Sequence, residues 1–255
     1  MAPRPPTSGL VRFAAAAGLV APLLVLFAAT ATDIGWIGFD FGVGVVTLQW
    51  AWWAAWIGTA LGLVAAAISL RNLGRVWPWL AVALLAPGLT LGAMIWTKAR
   101  ASSLPPVHEV ATDWTEPLAF TDGHLELRGP DALPIEPDPR LPGALGDIDP
   151  AWADYAGRRV AEVNAETCPE ARTVPRLVPA EEVVAALEAE GVRVIGQAPW
   201  RVEGSQESPW FGRARDVVVR MTPEATDIRS VERIGLIDLG QNCDLVSALV
   251  ERLSR

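Results

Sequence analysis

Two pairs of arginines are the residues whose type and spacing most suggest chemistry. Arg229 and Arg233 lie four residues apart in a segment of strand character, so both side chains point to the same face. Arg213 and Arg215 share a face of an earlier predicted strand, and Trp210 beside them adds an aromatic ring that either packs in the core or contacts a ligand. Guanidinium groups bind phosphate and carboxylate oxygens, so these residues are predicted to bind a lipid phosphate or another anion. Ion pairing with neighbouring acidic residues, or simple exposure, is the alternative.

His108 and Asp113 are the weaker candidates, and the chemistry in question is hydrolysis. Their spacing allows a His–Asp hydrogen bond, and a general base of this kind needs a substrate and a nucleophile beside it. The sequence contains no G-x-S-x-G, H-E-x-x-H or phosphate-binding glycine loop. We therefore predict no catalytic residue, and expect the histidine to hold a proline-rich segment on the domain through backbone hydrogen bonds.

Cys168 and Cys243 are the only cysteines. Two cysteines in an exported domain commonly form a disulfide, which here would close a long loop, whereas two separate buried thiols are the alternative. Their separation excludes a C-x-x-C redox pair, and two cysteines alone are an incomplete metal site. The aspartates at 147, 149 and 154 do not have calcium-loop spacing, so no metal or cofactor is predicted.

The two parts of the chain differ in charge. Residues 1–100 contain six basic and two acidic side chains, whereas residues 101–255 contain 15 and 27. Eight of the twelve tryptophans fall in the first part, a distribution typical of membrane interfaces. The acidic second part lacks the basic face that nucleic acid requires, and its 155 residues are enough for one domain.

Three apolar runs, at about 10–29, 48–70 and 77–96, have the length of transmembrane helices. They predict a helical anchor over residues 1–100. No charge or histidine lies deep within a run, which argues against an ion or proton pathway.

Basic residues near the runs predict the orientation. Arg4 and Arg12 precede the first run and Arg71 and Arg75 separate the second from the third, whereas the loop between the first two has no basic residue. The positive-inside rule then places the N-terminus in the cytoplasm and residues 101–255 outside the bacterial inner membrane, in the periplasm or beyond, although residues 98 and 100 oppose it. Residues 29–31 resemble a signal-peptidase site; an uncleaved helix is favoured, and cleavage would leave the domain outside as well.

Residues 101–255 are predicted to form an α+β domain with an antiparallel sheet and helices packed on one side. Prolines are frequent from 101 to 150, which predicts an extended segment whose strand-like piece is 125–127. A helix is expected after Asp149-Pro150, another at 179–191, and strands near 173–178, 192–197, 200–203, 213–221 and 225–234. Val246, Leu249, Val250 and Leu253 form the apolar stripe of a last helix.

Three motifs resemble the domain of unknown function 1499 family, whose bacterial members often carry N-terminal membrane helices. They are Pro-Pro-Val-His-Glu-Val-Ala-Thr-Asp at 105–113, Trp-Phe-Gly-Arg-Ala-Arg-Asp-Val-Val-Val-Arg at 210–220, and Arg-Ser-Val-Glu-Arg-Ile-Gly-Leu-Ile-Asp-Leu-Gly-Gln-Asn at 229–242. The resemblance implies that the segment from 105 belongs to the domain, and it implies no activity. The two cysteines depart from the family pattern.

Together these patterns predict a membrane-anchored, non-enzymatic envelope protein. Its extracytoplasmic domain is expected to bind a lipid, a small amphipathic ligand or a protein partner. A hydrolase using His108 and Asp113, and a purely structural interaction protein, are the alternatives.

Overall fold

The computed structural model describes residues 7–116, 118–208 and 210–255, and of Thr7 and Asn72 only the backbone. Arg4, used above for the orientation, lies outside these ranges. The chain divides into two compact units, one of Met1–Ala99 with Pro209–Gly212 and the other of Arg100–Ser208 with Arg213–Arg255.

The first unit is built from three long helices. Helix α1 spans Thr7–Asp33, a π-helix at Phe41–Ala51 leads directly into α2 at Trp52–Ile68, and a 3₁₀ turn at Leu70–Asn72 precedes α3 at Leu73–Ser102. The segments Ser8–Asp33, Phe41–Ile68 and Leu73–Ser102 are long and apolar enough to cross a membrane. The three predicted helices of membrane-spanning length are confirmed, and the second begins earlier than expected because the π-helix extends it.

Small residues bring the three helices together. A Cβ atom on Gly62 of α2 would lie 2.5 Å from the carbonyl oxygen of Ala83 in α3, and one on Gly58 would lie 3.1 Å from the Cα of Gly18 in α1. Close backbone approach of this kind is how helices pack in lipid, where no hydrophobic force drives them together.

The second unit contains a five-stranded antiparallel sheet in the order β1-β5-β4-β3-β2. The strands are Glu109–Ala111 (β1), Arg193–Ala198 (β2), Arg201–Glu207 (β3), Ala214–Met221 (β4) and Thr226–Glu232 (β5). Every residue of β5 is buried, so both faces of the sheet are covered at its centre. The predicted α+β class is confirmed.

Helices α7 (Ala180–Ala189) and α8 (Gln241–Leu253) cover one face of the sheet. Leu187 of α7 and Leu249 of α8 are fully buried in one apolar cluster with Val217, Val219 and Ile228 of the sheet. Because side chains alternate along a strand, the residues between these valines point to the other face.

The other face is covered by residues 112–116 and 118–136, which we call the strap. Leu118 and Phe120 of the strap pack against Val218 and Val231 of the sheet. The expected strand-like piece at 125–127 is wrong: these residues lie in helix α4, Asp122–Arg128, whose N-cap Thr121 accepts a hydrogen bond from the His124 backbone N–H.

Two further expectations about local structure are wrong. A 3₁₀ helix at Pro150–Tyr155 follows the short α5 (Leu145–Ile148), and α6 begins only at Val160 and ends at Thr167. Gly157, with φ of 71°, interrupts the helix that the sequence predicted from residue 150. The predicted strand at 173–178 is a single bridge between Val174 and Thr226.

Candidate functional site

The four predicted arginines divide between the two faces of the sheet. Arg229 and Arg233 point toward the strap, where they contact Leu118 and Asp216 respectively. Arg213 and Arg215 point to the side of α8, where each hydrogen-bonds a carbonyl oxygen near the start of that helix. The two pairs therefore do not form a single anion-binding group.

Arg229 is a buried structural residue. Its side chain is 1% exposed, and its Nε and Nη2 atoms donate to Glu109 Oε2 at 2.9 and 2.5 Å. The same guanidinium donates to the carbonyl oxygens of Leu118 and Glu136, two well-separated points of the strap, and it lies 5.4 Å from the centre of the Trp114 ring. Arg229 thus fixes the strap on the sheet, and breaking a buried pair of this kind typically costs about 3–5 kcal/mol.

Asp216 is the centre of a second buried charged group. Arg233 donates to both of its carboxylate oxygens, at 2.9 and 2.7 Å, and His124 Nε2 lies 3.0 Å from Oδ1. Arg128 Nε lies 3.6 Å from Oδ2. Burial by itself raises the pKa of Asp216, but hydrogen bonds from His124 and Arg233 outweigh it and lower the pKa to about 2.

Glu203 anchors the start of α4 to the same face. Its two carboxylate oxygens accept hydrogen bonds from the backbone N–H and the hydroxyl of Thr121, at 2.8 and 2.7 Å, and His124 Nδ1 lies 3.5 Å from Oε2. Sequence reasoning did not assign a role to His124 or Glu203, and it considered Asp216 only as an ion-pair partner of the arginines, in the alternative to anion binding. Glu203 and Asp216 each stand next to a valine in a predicted strand, whereas His124 lies in α4 and has no comparable signal.

His108 and Asp113 are held by different partners. His108 Nε2 lies 3.6 Å from Glu109 Oε1, and burial lowers the pKa of its imidazole. Asp113 accepts hydrogen bonds from the backbone and hydroxyl of Thr115 and pairs with Arg220 at 3.0 Å. In the part of the chain that the structure describes, the side chains of His108 and Asp113 form no hydrogen bond or ion pair with each other. The geometry therefore provides no His–Asp pair.

The backbone of His108 instead fixes the chain beside β5 and α8. Its carbonyl oxygen accepts hydrogen bonds from the Glu232 N–H at 2.8 Å and from Asn242 Nδ2 at 2.9 Å. This arrangement agrees with the role in holding the proline-rich segment that the sequence suggested.

A polar recess of about 240 Å³ lies where β3 ends, β4 begins and α8 starts. Arg213 donates from Nε to Glu232 Oε1 and from Nη2 to the carbonyl oxygen of Ile237, both at 3.0 Å. Arg215 donates from both terminal nitrogens to the backbone and side-chain oxygens of Gln241. The residues that line the recess are Gln206, Glu207, Ser208, Arg213, Ala214, Arg215, Glu232 and Gln241.

Glu232 is the most deeply buried charged group of the recess. Its side chain is 3% exposed, and its Oε2 atom has no hydrogen-bond partner among the residues that the structure describes. Desolvation raises the pKa of Glu232, although Arg213 and Arg215 oppose this effect. Burial lowers the pKa of Arg215, and the negative charges of Glu232 and Asp238 oppose this shift. A buried oxygen without a partner is unfavourable and is satisfied when a donor approaches it.

Asp238 holds the first turn of α8 beside this recess. Its two carboxylate oxygens accept hydrogen bonds from the backbone N–H groups of Gly240 and Asn242, at 2.8 and 3.0 Å. Gly240 has a φ of 83°, a conformation that glycine adopts without strain. The helix therefore begins at a fixed place, and Gln241 is positioned against Arg215.

Cys168 and Cys243 are joined by a disulfide in the structure, with their Cα atoms 5.8 Å apart. The bridge ties the end of α6 to the first turn of α8. Glu170 approaches both sulfurs closely enough to suggest a metal site, but sulfurs shared in a disulfide are not thiolate ligands. These three residues therefore do not form a metal site.

Trp210 lies in the connection between β3 and β4, and its side chain is 56% exposed. The next two residues, Phe211 and Gly212, both have positive φ, at 61° and 62°. Trp210 is not among the residues that line the recess, so the aromatic ring and the arginines predicted with it do not meet there.

The fold defines a class: an α+β domain with a five-stranded antiparallel sheet, preceded by three helices of membrane-spanning length. The family model described as Protein of unknown function (DUF1499) matches residues 109–253, more than half of the chain. The chain belongs to this family, which confirms the resemblance seen in its motifs. Comparison with curated proteins and with solved structures finds no match.

Proposed function

We propose that this chain is a membrane-anchored envelope protein whose α+β domain binds a small charged ligand in the recess beside α8, without catalysing a reaction. The observation that carries the proposal is the pair Arg213 and Arg215 at the wall of a polar recess that also contains the buried Glu232. Pockets that bind ligands combine concavity with a few convergent polar groups, often with shifted pKa values.

The location follows from charge and cysteine use. The arginines around the apolar helices favour a cytoplasmic N-terminus in the inner membrane, which leaves the domain in the periplasm or outside the cell. The Cys168–Cys243 disulfide supports an oxidising compartment, since disulfides persist there and are rare in the cytosol.

The other arginines favour the recess over the strap face as the binding site. The donors of Arg229 and Arg233 bond to Glu109, Asp216 and strap carbonyl groups, so a ligand would have to displace interactions that hold the strap on the sheet. Arg213 and Arg215 also donate hydrogen bonds within the domain, but unlike the other two they line a recess. The separate contacts of His108 and Asp113 remove the support for hydrolysis, and binding without catalysis is the function that the geometry supports best.

The test is the recovery of a bound molecule with the full-length protein. Wild-type protein, Arg215→Met and Arg158→Met are extracted from native membranes under mild detergent and analysed by native mass spectrometry. Arg158→Met is the matched control because Arg158 forms an ion pair with Glu166 and does not line the recess. We expect a molecule retained by the wild type and the control and lost from Arg215→Met. Equal retention in all three proteins, or no bound molecule in any of them, would refute the proposal.

A further inference from the structure

The charge pattern of the recess limits what can bind there. Its wall contains two guanidinium groups, from Arg213 and Arg215, and two carboxyl groups, from Glu207 and Glu232. A simple anion bound near the arginines would be repelled by the carboxylates, and a simple cation would be repelled by the arginines. A ligand with both charges avoids either repulsion.

The arrangement of these groups places opposite charges side by side. Arg215 and Glu232 are direct partners on the adjacent strands β4 and β5, and their side chains lie on the same face of the sheet. Side chains at directly opposed positions are neighbours about 5 Å apart at Cβ. A molecule that contacts both groups is therefore small, in agreement with a recess of about 240 Å³.

Glu232 also requires a hydrogen-bond donor. One of its oxygens accepts from Arg213, and the other has no partner among the residues described. A primary ammonium group supplies three N–H donors with a positive charge, whereas a quaternary ammonium group has the charge and no donor.

Taken with the proposed function, on which this step depends, these observations lead us to infer that the ligand is a small amino-phosphate with a primary ammonium group. The phosphate binds on the side of Arg215 and Arg213, because guanidinium groups match phosphate oxygens with paired hydrogen bonds. Its oxygens take the place of the Gln241 oxygens that Arg215 contacts in the unliganded domain. The ammonium group donates to Glu232. The same chemistry occurs in a free amino-phosphate and in an aminophospholipid headgroup.

The test compares three probes on the full-length protein in detergent micelles by titration calorimetry. Phosphoethanolamine is the expected ligand, phosphocholine has the same phosphate without N–H donors, and inorganic phosphate has no ammonium group. We expect phosphoethanolamine to bind the wild type at least about tenfold more tightly than either of the others, the usual effect of losing one charged hydrogen bond. Glu232→Gln is expected to narrow the difference between phosphoethanolamine and phosphocholine, and Arg215→Met to weaken all three probes.

Nanodiscs of phosphatidylethanolamine or phosphatidylcholine separate the two sources. If the headgroup of the lipid is the ligand, free phosphoethanolamine binds more weakly in the phosphatidylethanolamine discs because the lipid competes. If a free molecule is the ligand, its affinity is the same in both. Either result supports the amino-phosphate class and assigns its source.

Two results would overturn the inference. Equal affinity of the wild type for phosphoethanolamine, phosphocholine and phosphate would show that the recess does not recognise an ammonium group. The recess would then bind anions only. Absence of phosphoethanolamine binding, with an Arg215-dependent molecule still found by native mass spectrometry, would refute the amino-phosphate and retain the proposed function.

Discussion

Charged residues on the strap-covered face of the sheet act as structural links, and Asp216 shows how they do so. It is completely buried, and it contacts Arg233 of the chain just after β5 and both His124 and Arg128 of α4. One carboxylate thus joins the strap to the sheet. A buried charge is tolerated only when it is paired and hydrogen-bonded, so its ionisation is coupled to folding.

This coupling predicts an acid-sensitive contribution from Asp216. Because its pKa falls from the usual 3.8 to about 2 on folding, the ionised form stabilises the protein at neutral pH. That contribution, about 2 kcal/mol, is complete above about pH 4 and is lost as the pH falls toward 2. Asp216→Asn should therefore destabilise the domain at pH 6, and the difference from the wild type should shrink as the pH approaches 2.

The measurement is hydrogen exchange of the β4 and β5 amides in the full-length protein between pH 6 and pH 2, corrected for intrinsic exchange. Glu166→Gln is the control, since it also removes a carboxylate paired with an arginine but lies on the surface. If the difference in amide protection between the wild type and Asp216→Asn stays constant from pH 6 to pH 2, the lowered pKa of Asp216 is contradicted.

Among the elements, the regular strands and the last helix could be predicted from the sequence, whereas the strap could not. Three consecutive valines, at 217–219, indicated β4, and the stripe through Val246, Leu249 and Leu253 indicated α8. Helix α4 occupies 122–128, a proline-free stretch inside a proline-rich segment, and the interactions that hold it come from β3 and β4, about 80 or more residues away in sequence. The local sequence pattern around α4 does not indicate which distant residues it will contact.

The candidate site follows the same division. The alternation of side chains along a strand correctly placed Arg229 and Arg233 on one face. It did not reveal that the guanidinium of Arg229 donates to Glu109, which lies 120 residues away in sequence. The recess depends on the meeting of three strand ends with the start of α8. Neither feature has a sequence motif, because each is created by tertiary contact.

The disulfide links two elements and should support α8 in particular. Its cysteines are 75 residues apart, and closing a loop of that length contributes about 4 kcal/mol on the chain-entropy model. We expect the double variant Cys168→Ser with Cys243→Ser to lose stability by up to about this amount. The increase in amide hydrogen exchange should be greatest in the first turns of α8, because the disulfide no longer links them to the end of α6.

Thiol alkylation of the denatured, unreduced wild type provides the first measurement, and it should label neither cysteine. The double serine variant, compared with reduced wild type by thermal melting, separates loss of the bond from the effect of the substitutions. Labelling of both cysteines in protein isolated without reductant would contradict the disulfide.

Packing of the apolar helices should depend on a few glycines. A methyl group at Gly62 would meet the Ala83 carbonyl oxygen at 2.5 Å, so Gly62→Ala should force α2 and α3 apart at a cost of about 1–3 kcal/mol. Gly88→Ala in α3 is the matched control, because nothing lies within 4 Å of its added Cβ. In detergent, the thermal unfolding midpoint of Gly62→Ala should be lower than that of the wild type, whereas the midpoint of Gly88→Ala should not be lower. Equal midpoints would show that the close approach is not needed.

For the whole molecule, the proposed function requires the domain to face away from the cytoplasm. Arg71 lies in the short connection between the second and third apolar helices and Arg75 lies in the first turn of the third, and the positive-inside rule favours the cytoplasm for such residues. If all three helices cross the membrane, the proposed orientation leaves the acidic domain outside. The Cys168–Cys243 disulfide favours the same side of the membrane, so two independent features support the proposed orientation.

Protease treatment of intact spheroplasts measures this orientation. We expect external protease to remove the domain after about residue 100 and to leave the apolar helices protected, while a cytoplasmic marker protein remains intact. Replacing Arg71 and Arg75 by glutamate should produce a mixed population with part of the domain protected, because the charges that retain the loop are gone. Complete protection of the wild-type domain until the membrane is lysed would place it in the cytoplasm. The recess would then face a reducing compartment, and both the disulfide and an extracytoplasmic ligand would be ruled out together.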